Sequence, residues 1–215
     1  MKKIYLLTAV LSLCSVVGAT TINAPSTLVG YQKLDGAKAY GWAVSPGLTA
    51  GQKITSATIN WNNVTLAVGN SSGTGYLYTD LLSSSSLGVN NVTTYTDNDA
   101  PGDYFKTSGS GFTSSTRLGI GSQFFSSVGT TLSLAYTLTT AQLTTLNQFI
   151  ANSATGVFNV GIDADCHYTV GGLSITYIVG STSVPSAPDG ATTALLIIVG
   201  LSAVELFRRK FAAAH

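Results

Sequence analysis

The sequence predicts an all-β fold: an antiparallel β-sandwich, jelly-roll-like, with one short helix, an N-terminal signal helix and a C-terminal transmembrane helix. Three observations predict it. Residues 20–187 hold 48 Ser or Thr among 168 positions and no glutamate, a composition that suits a pleated surface and disfavours helix. Apolar and polar residues alternate over short runs, and Gly-, Pro- and Asn-rich turns separate the runs. Hydrophobic residues make up 45% of the 215-residue chain, enough for a core, while charged residues make up only 9%, far below the roughly 25% of an ordinary soluble domain. The net charge of +1 leaves no basic field for a phosphate backbone, which excludes nucleic acid as a partner.

The elements follow in order. Lys2 and Lys3 precede an apolar run over 4–17, and Val17-Gly18-Ala19 offers small residues to signal peptidase. Residues 1–19 therefore read as a signal peptide. A sandwich domain over 20–180 follows. Strands are expected at 37–44, 53–64, 75–82, 92–96, 112–118, 131–138, 157–163 and 173–179. In 131–138, Leu132, Leu134, Tyr136 and Leu138 share a face, as do Leu173, Ile175, Tyr177 and Val179 in the last strand. The run 53–64 alternates with one slip, Ala57 standing aside, the signature of a bulge. One helix is expected after a cap at Thr140, with Leu143, Leu146, Phe149 and Ile150 as its apolar stripe, packed over one end of the sandwich.

Past the domain, 181–190 is a linker by composition, with Pro185 and Pro188. Residues 191–207 form an apolar segment of about 26 Å as a helix, the short limit of a membrane span. Arg208, Arg209 and Lys210 open a basic tail over 208–215, which stays on the cytoplasmic side and places the domain outside the cytoplasm.

Proline motif, short apolar helix and terminal arginines, in that order, resemble the sorting signal of the PEP-CTERM class of bacterial surface proteins. Pro188, Asp189 and Gly190 are similar to the Val-Pro-Asp-Ser-Gly variant, with Ala187 where that variant has valine. The resemblance implies recognition by an exosortase-like membrane protease, cleavage near the proline motif, and passage through the inner membrane to the cell surface or extracellular matrix. The order of helix, apolar strand, Asp163-Ala-Asp-Cys-His-Tyr168 and a glycine turn into the final strand also resembles a subset of the ectodomains in this class.

Two acidic loops are the candidate chemistry. On an extended chain Asp163, Asp165 and His167 would share a face; Asp97, Asp99 and Asp103 form a second group. If the loops meet, five carboxylates converge, a set of hard oxygen donors suited to calcium. The plainer reading gives these aspartates ordinary turn duty. Cys166 is the one cysteine after the signal, so it forms no intramolecular disulfide and is expected to be buried. One retained histidine, no glutamate and no nucleophile-elbow motif argue against an enzyme. Tyr31, Tyr40, Trp42, Trp61, Tyr76, Tyr78, Tyr95 and Tyr104 include candidates for a sugar-stacking platform, with Trp42 and Trp61 expected in the core instead. The function expected is that of an exported structural or adhesive surface protein that binds and does not turn over a substrate. Its rivals are a calcium-assisted carbohydrate-binding module for extracellular polysaccharide and, more distantly, a glycoside hydrolase.

Overall fold

The computed structural model describes residues 18–83, 91–97, 101–107 and 110–181. The signal segment before Gly18, the linker from 182, the apolar segment 191–207 and the tail 208–215 lie outside the described residues. Among the described residues, no helix is long and apolar enough to cross a membrane.

Among the described residues, the domain holds ten strands, one α-helix and one 3-10 turn. The strands are β1 (Ala19–Asn23), β2 (Gly30–Leu34), β3 (Lys38–Val44), β4 (Gln52–Val68), β5 (Gly75–Ser83), β6 (Val92–Thr96), β7 (Arg117–Phe125), β8 (Thr131–Thr137), β9 (Phe158–Ala164) and β10 (His167–Ser181). They form two five-stranded sheets. The first runs β1-β10-β4-β8, with β2 beside β1 on the same edge of β10; the second runs β6-β3-β9-β5-β7. From β2 to β5, and again from β7 to β10, successive strands alternate between the sheets. This is the antiparallel sandwich that the alternating pattern implies. Trp42, Trp61, Tyr168, Phe125, Phe158, Ile59 and Leu77 fill the space between the sheets, all fully buried. Both tryptophans therefore belong to the core, as expected.

The long strand β4 explains its own irregular pattern. Its buried residues are Ile54, Ala57, Ile59, Trp61, Val64 and Leu66, so the inward face shifts by one residue twice. Ala57 points into the core and does not stand aside. At the second shift Asn62 and Asn63 are both exposed, the pairing with β8 slips, and Asn63 adopts φ 49°. Asparagine tolerates that left-handed backbone better than most residues. β10 is kinked at the same level: its inward face passes from Val170 to Leu173 across Gly171 and Gly172. A Cβ on Gly171 would lie 2.9 Å from Asn63 Cβ and 3.1 Å from the Asn62 carbonyl oxygen. Gly171→Val is therefore expected to destabilise the fold by about 1–3 kcal/mol through overpacking, measured by chemical denaturation.

The helix α1 (Thr140–Asn152) packs against β4, β5, β7 and β9, strands of both sheets. Leu146, Phe149 and Ile150 are its buried stripe. Its cap is Thr139, one residue earlier than expected, because Gln142 completes a capping box with it. Asn147 fixes the helix to β4 by accepting from the Ile54 N–H at 2.9 Å and donating to the Ile54 carbonyl at 2.8 Å.

Two further expectations need correction. The strand expected over 112–118 begins only at Arg117, because Thr113 and Thr116 close a hydroxyl turn just before it: the Thr113 N–H donates to Thr116 Oγ1 at 2.9 Å and the Thr116 N–H returns to the Thr113 carbonyl at 3.0 Å. Second, residues 163–167 are not one extended run. The chain bends at Asp165 and Cys166 and crosses from the second sheet to the first, so His167 does not share a face with Asp163. Its Nδ1 instead accepts from the Gly36 N–H at 3.2 Å and lies 3.5 Å from Asp35.

Candidate functional site

The outer face of the second sheet is built in rows. Register places Tyr95, Ala39, Asp163, Tyr78 and Ser122 side by side across five strands; the next row is Thr93, Gly41, Gly161, Asp80 and Gly119. Small residues on β3 and β9 leave a depression there, and a segment following β6 fills it. Phe105, in a 3-10 turn spanning Tyr104–Lys106, is fully buried over Gly161, where a Cβ would come 3.0 Å from its ring. Tyr95, Tyr104 and Phe112 close around Phe105 with edge-on ring contacts at 5.3–5.7 Å. These rings seat residues 101–107 as a cover on half of the sheet.

Polar contacts pin the cover down. The Tyr104 N–H donates to Asp163 Oδ2 at 2.7 Å. Asp103 caps the turn, accepting from the Phe105 N–H at 3.1 Å. Asp165 accepts a backbone hydrogen bond from Gly102. Arg117 joins cover to sheet: its Nε lies 2.7 Å from Asp80 Oδ1 and its Nη2 donates to Asp103 Oδ2. Asp80 is 1% exposed and Asp163 is fully buried, so their ionised forms are costly. Burial raises Asp163 to about 8 against the pull of the Tyr104 N–H, and the charges of Asp97, Asp165 and Asp103 add to the rise. Burial likewise pushes Asp80 up, with Asp103 adding, while the Arg117 guanidinium paired with it opposes the rise. Asp165 reaches about 6 through burial, with Asp97 and Asp103 contributing.

The two acidic loops thus do meet. Asp97, its N–H on the Ala37 carbonyl at 2.9 Å, lies close enough to Asp163 and Asp165 to raise both. Asp99 lies outside the described residues. Among the described residues no group of three or more His, Cys, Asp or Glu is arranged to hold a metal ion; Asp103, Asp163 and Asp165 all bond the cover. The sorting residues Pro188, Asp189, Gly190, Arg208, Arg209 and Lys210 lie outside the described residues. Cys166 is buried, with its thiol donating to the Thr74 carbonyl at 3.4 Å.

The uncovered half of the same face carries a cleft of about 620 Å³. Pro101, Gly102, Asp103, Lys106 and Thr107 form one wall, Tyr78 and Ser122 the floor, and Arg117 one end. Tyr78 continues into a shelf of exposed rings. Tyr76 stacks beside Tyr78 with centroids 5.8 Å apart and planes 16° apart, and Phe124 lies 4.9 Å from Tyr76. Tyr76 is 41% exposed and Phe124 45%.

Tyr76 and Tyr78 are among the aromatic candidates that the sequence offers, whereas Phe124, Asp80 and Arg117 emerge only in the fold. The last two had a signal: Asp80 interrupts an apolar strand, a buried charge needs a cation, and Arg117 is the single arginine of residues 20–187. Fold and site together define a β-sandwich with a polar, ring-flanked cleft on one outer face. No protein-family model matches the chain, and no curated protein matches it.

Proposed function

We propose that the chain is an exported surface protein of the PEP-CTERM type, whose sandwich domain serves as a structural and adhesive component of the cell envelope or extracellular matrix. The strand order β2-β10-β4-β8 against β3-β9-β5-β7 supports a jelly-roll reading, an architecture that lectin domains also use. The observation that carries binding over turnover is the lining of the cleft. Asp103 is its single carboxyl among the described residues, and Arg117 already holds it, whereas general acid–base cleavage of a glycoside needs two carboxyls facing the substrate. Export and sorting rest on Lys2, Lys3 and the tail from Pro188 to Lys210, with signal peptidase and an exosortase-like protease as the processing partners. Calcium is the cation the aspartates would take, with Asp97, Asp99, Asp103, Asp163 and Asp165 as the donors.

The intact mass of the protein released from the cell surface tests this reading. The expected mass lacks residues 1–19 and everything from Ala191 onward. Surface protein that retains the full tail would sink the sorting proposal and leave a plain membrane anchor.

A further inference from the structure

We infer that the cleft and ring shelf on the outer face of the second sheet bind a neutral glycan chain, with sugar rings on Tyr76 and Phe124 and hydroxyls in the cleft beside Ser122 and Asp103. The inference rests on the adhesive reading above and names its ligand.

Three features select this ligand. First, the shelf offers flat apolar faces with polar rims to solvent, and a pyranose ring presents the complementary surface: C–H groups on its faces and hydroxyls around its edge. Tyr76 and Phe124 are exposed at 41% and 45% in a domain whose other large rings are mostly in the core. Second, the shelf runs without a break through Tyr78 into the cleft, so one chain can stack on the rings and enter it. Lining groups there are of the kind that fix orientation by a few hydrogen bonds: the Ser122 hydroxyl, the Asp103 carboxylate, the Thr107 hydroxyl and the Lys106 ammonium. Third, charge decides between neutral and acidic glycans. The Arg117 guanidinium is already shared by Asp80 and Asp103, so it has no free edge with which to grip a uronate carboxylate. A uronate carboxylate brought into the cleft would lie against the Asp103 carboxylate, with Lys106 the one uncommitted cation among the described lining residues, and like charges brought together cost free energy. A neutral chain meets no such opposition. Tyr31, 78% exposed on β2, belongs to the other sheet and serves as a control.

The test titrates the full chain with a soluble neutral β-glucan and, in parallel, with alginate, in detergent and at fixed ionic strength. The expected result is binding to the β-glucan that weakens about tenfold on truncating either shelf ring, Tyr76→Ala or Phe124→Ala. Tyr31→Ala should leave it unchanged, and Tyr76→Phe, which keeps the ring, should retain it. Alginate should bind at least tenfold more weakly. Near-ultraviolet circular dichroism verifies that each variant is folded. Equal affinity for alginate, or glucan binding indifferent to the shelf variants, overturns the inference. So does absence of glucan binding by a protein that still adheres to intact cell-surface matrix, an outcome that leaves the adhesive reading standing.

Discussion

Arg117→Ala is expected to destabilise the domain by about 3–5 kcal/mol at pH 7, the cost of leaving a buried carboxylate without its cation. Asp80 is 1% exposed and its ion pair with Arg117 is 2.7 Å long, so the guanidinium stands between that carboxylate and the cleft. The loss should shrink toward pH 5, because burial raises Asp80 and protonating its carboxyl once the cation is gone costs less at lower pH. The double change Arg117→Ala with Asp80→Asn removes the charge and should recover much of the loss. Urea denaturation of the single and double variants at both pH values measures this. A loss below about 1 kcal/mol at pH 7 would show that the pair is spectator to the fold. The single variant should also be cut more readily within 101–107, because Arg117 is one of the contacts that hold Asp103 and the cover in place.

Alkaline pH is the second large expected effect. Asp163 has a folded pKa of about 8, above the roughly 3.9 of an unfolded aspartate. Between these values the native state keeps a proton that the unfolded state has released, so stability falls as pH rises. The favourable contribution is full below about pH 4, declines through the interval, and is lost once pH passes about 8. For a fully buried group the slope approaches 1.4 kcal/mol per pH unit, or about 2 kcal/mol between pH 6 and pH 8. In a domain of this size that corresponds to roughly 4–8 °C in Tm. Asp165, raised to about 6, adds to the lower part of the same interval. Asp163→Asn keeps an oxygen for the Tyr104 N–H and removes the titration, so its Tm should be flatter with pH and higher than that of the unmodified protein at pH 8. Calcium gives the second arm. A cation held by these aspartates would draw the proton from Asp163 and abolish the alkaline loss, and chelator would restore it. Superimposable curves in calcium and chelator would assign the aspartates to holding the cover alone.

Local sequence was informative wherever one strand faces one core. The alternation in 131–138 and 173–179 placed β8 and the second half of β10, and the stripe Leu146, Phe149 and Ile150 placed α1, because burial on one side imposes a period of two or of about 3.6. Tyr76 and Tyr78, two residues apart, were legible as neighbours for the same reason. β1 and β2 were not legible. Each is five residues long and lies on an edge of β10, and β1, mostly exposed, has almost no buried face to pattern. β9 is buried on both faces, so its sequence carries no alternation that separates core from cover.

The amino-acid sequence alone dictates the class of fold: a Thr- and Ser-rich domain, free of glutamate over 20–187 and alternating with a period of two, can bury its apolar residues only by pairing strands and stacking the sheets. It also determines which residues are chemically unusual, among them the lone Arg117, the aspartates in apolar runs and the clustered tyrosines. The roles of these residues arise from how the sheets assemble. Asp80 and Arg117 are 37 positions apart in sequence and meet because β5 pairs with β7. Asp163 and Tyr104 meet because Phe105 finds the depression over Gly161. Such meetings depend on strand register across a sheet, which long-range packing sets, so no local pattern in the chain encodes them.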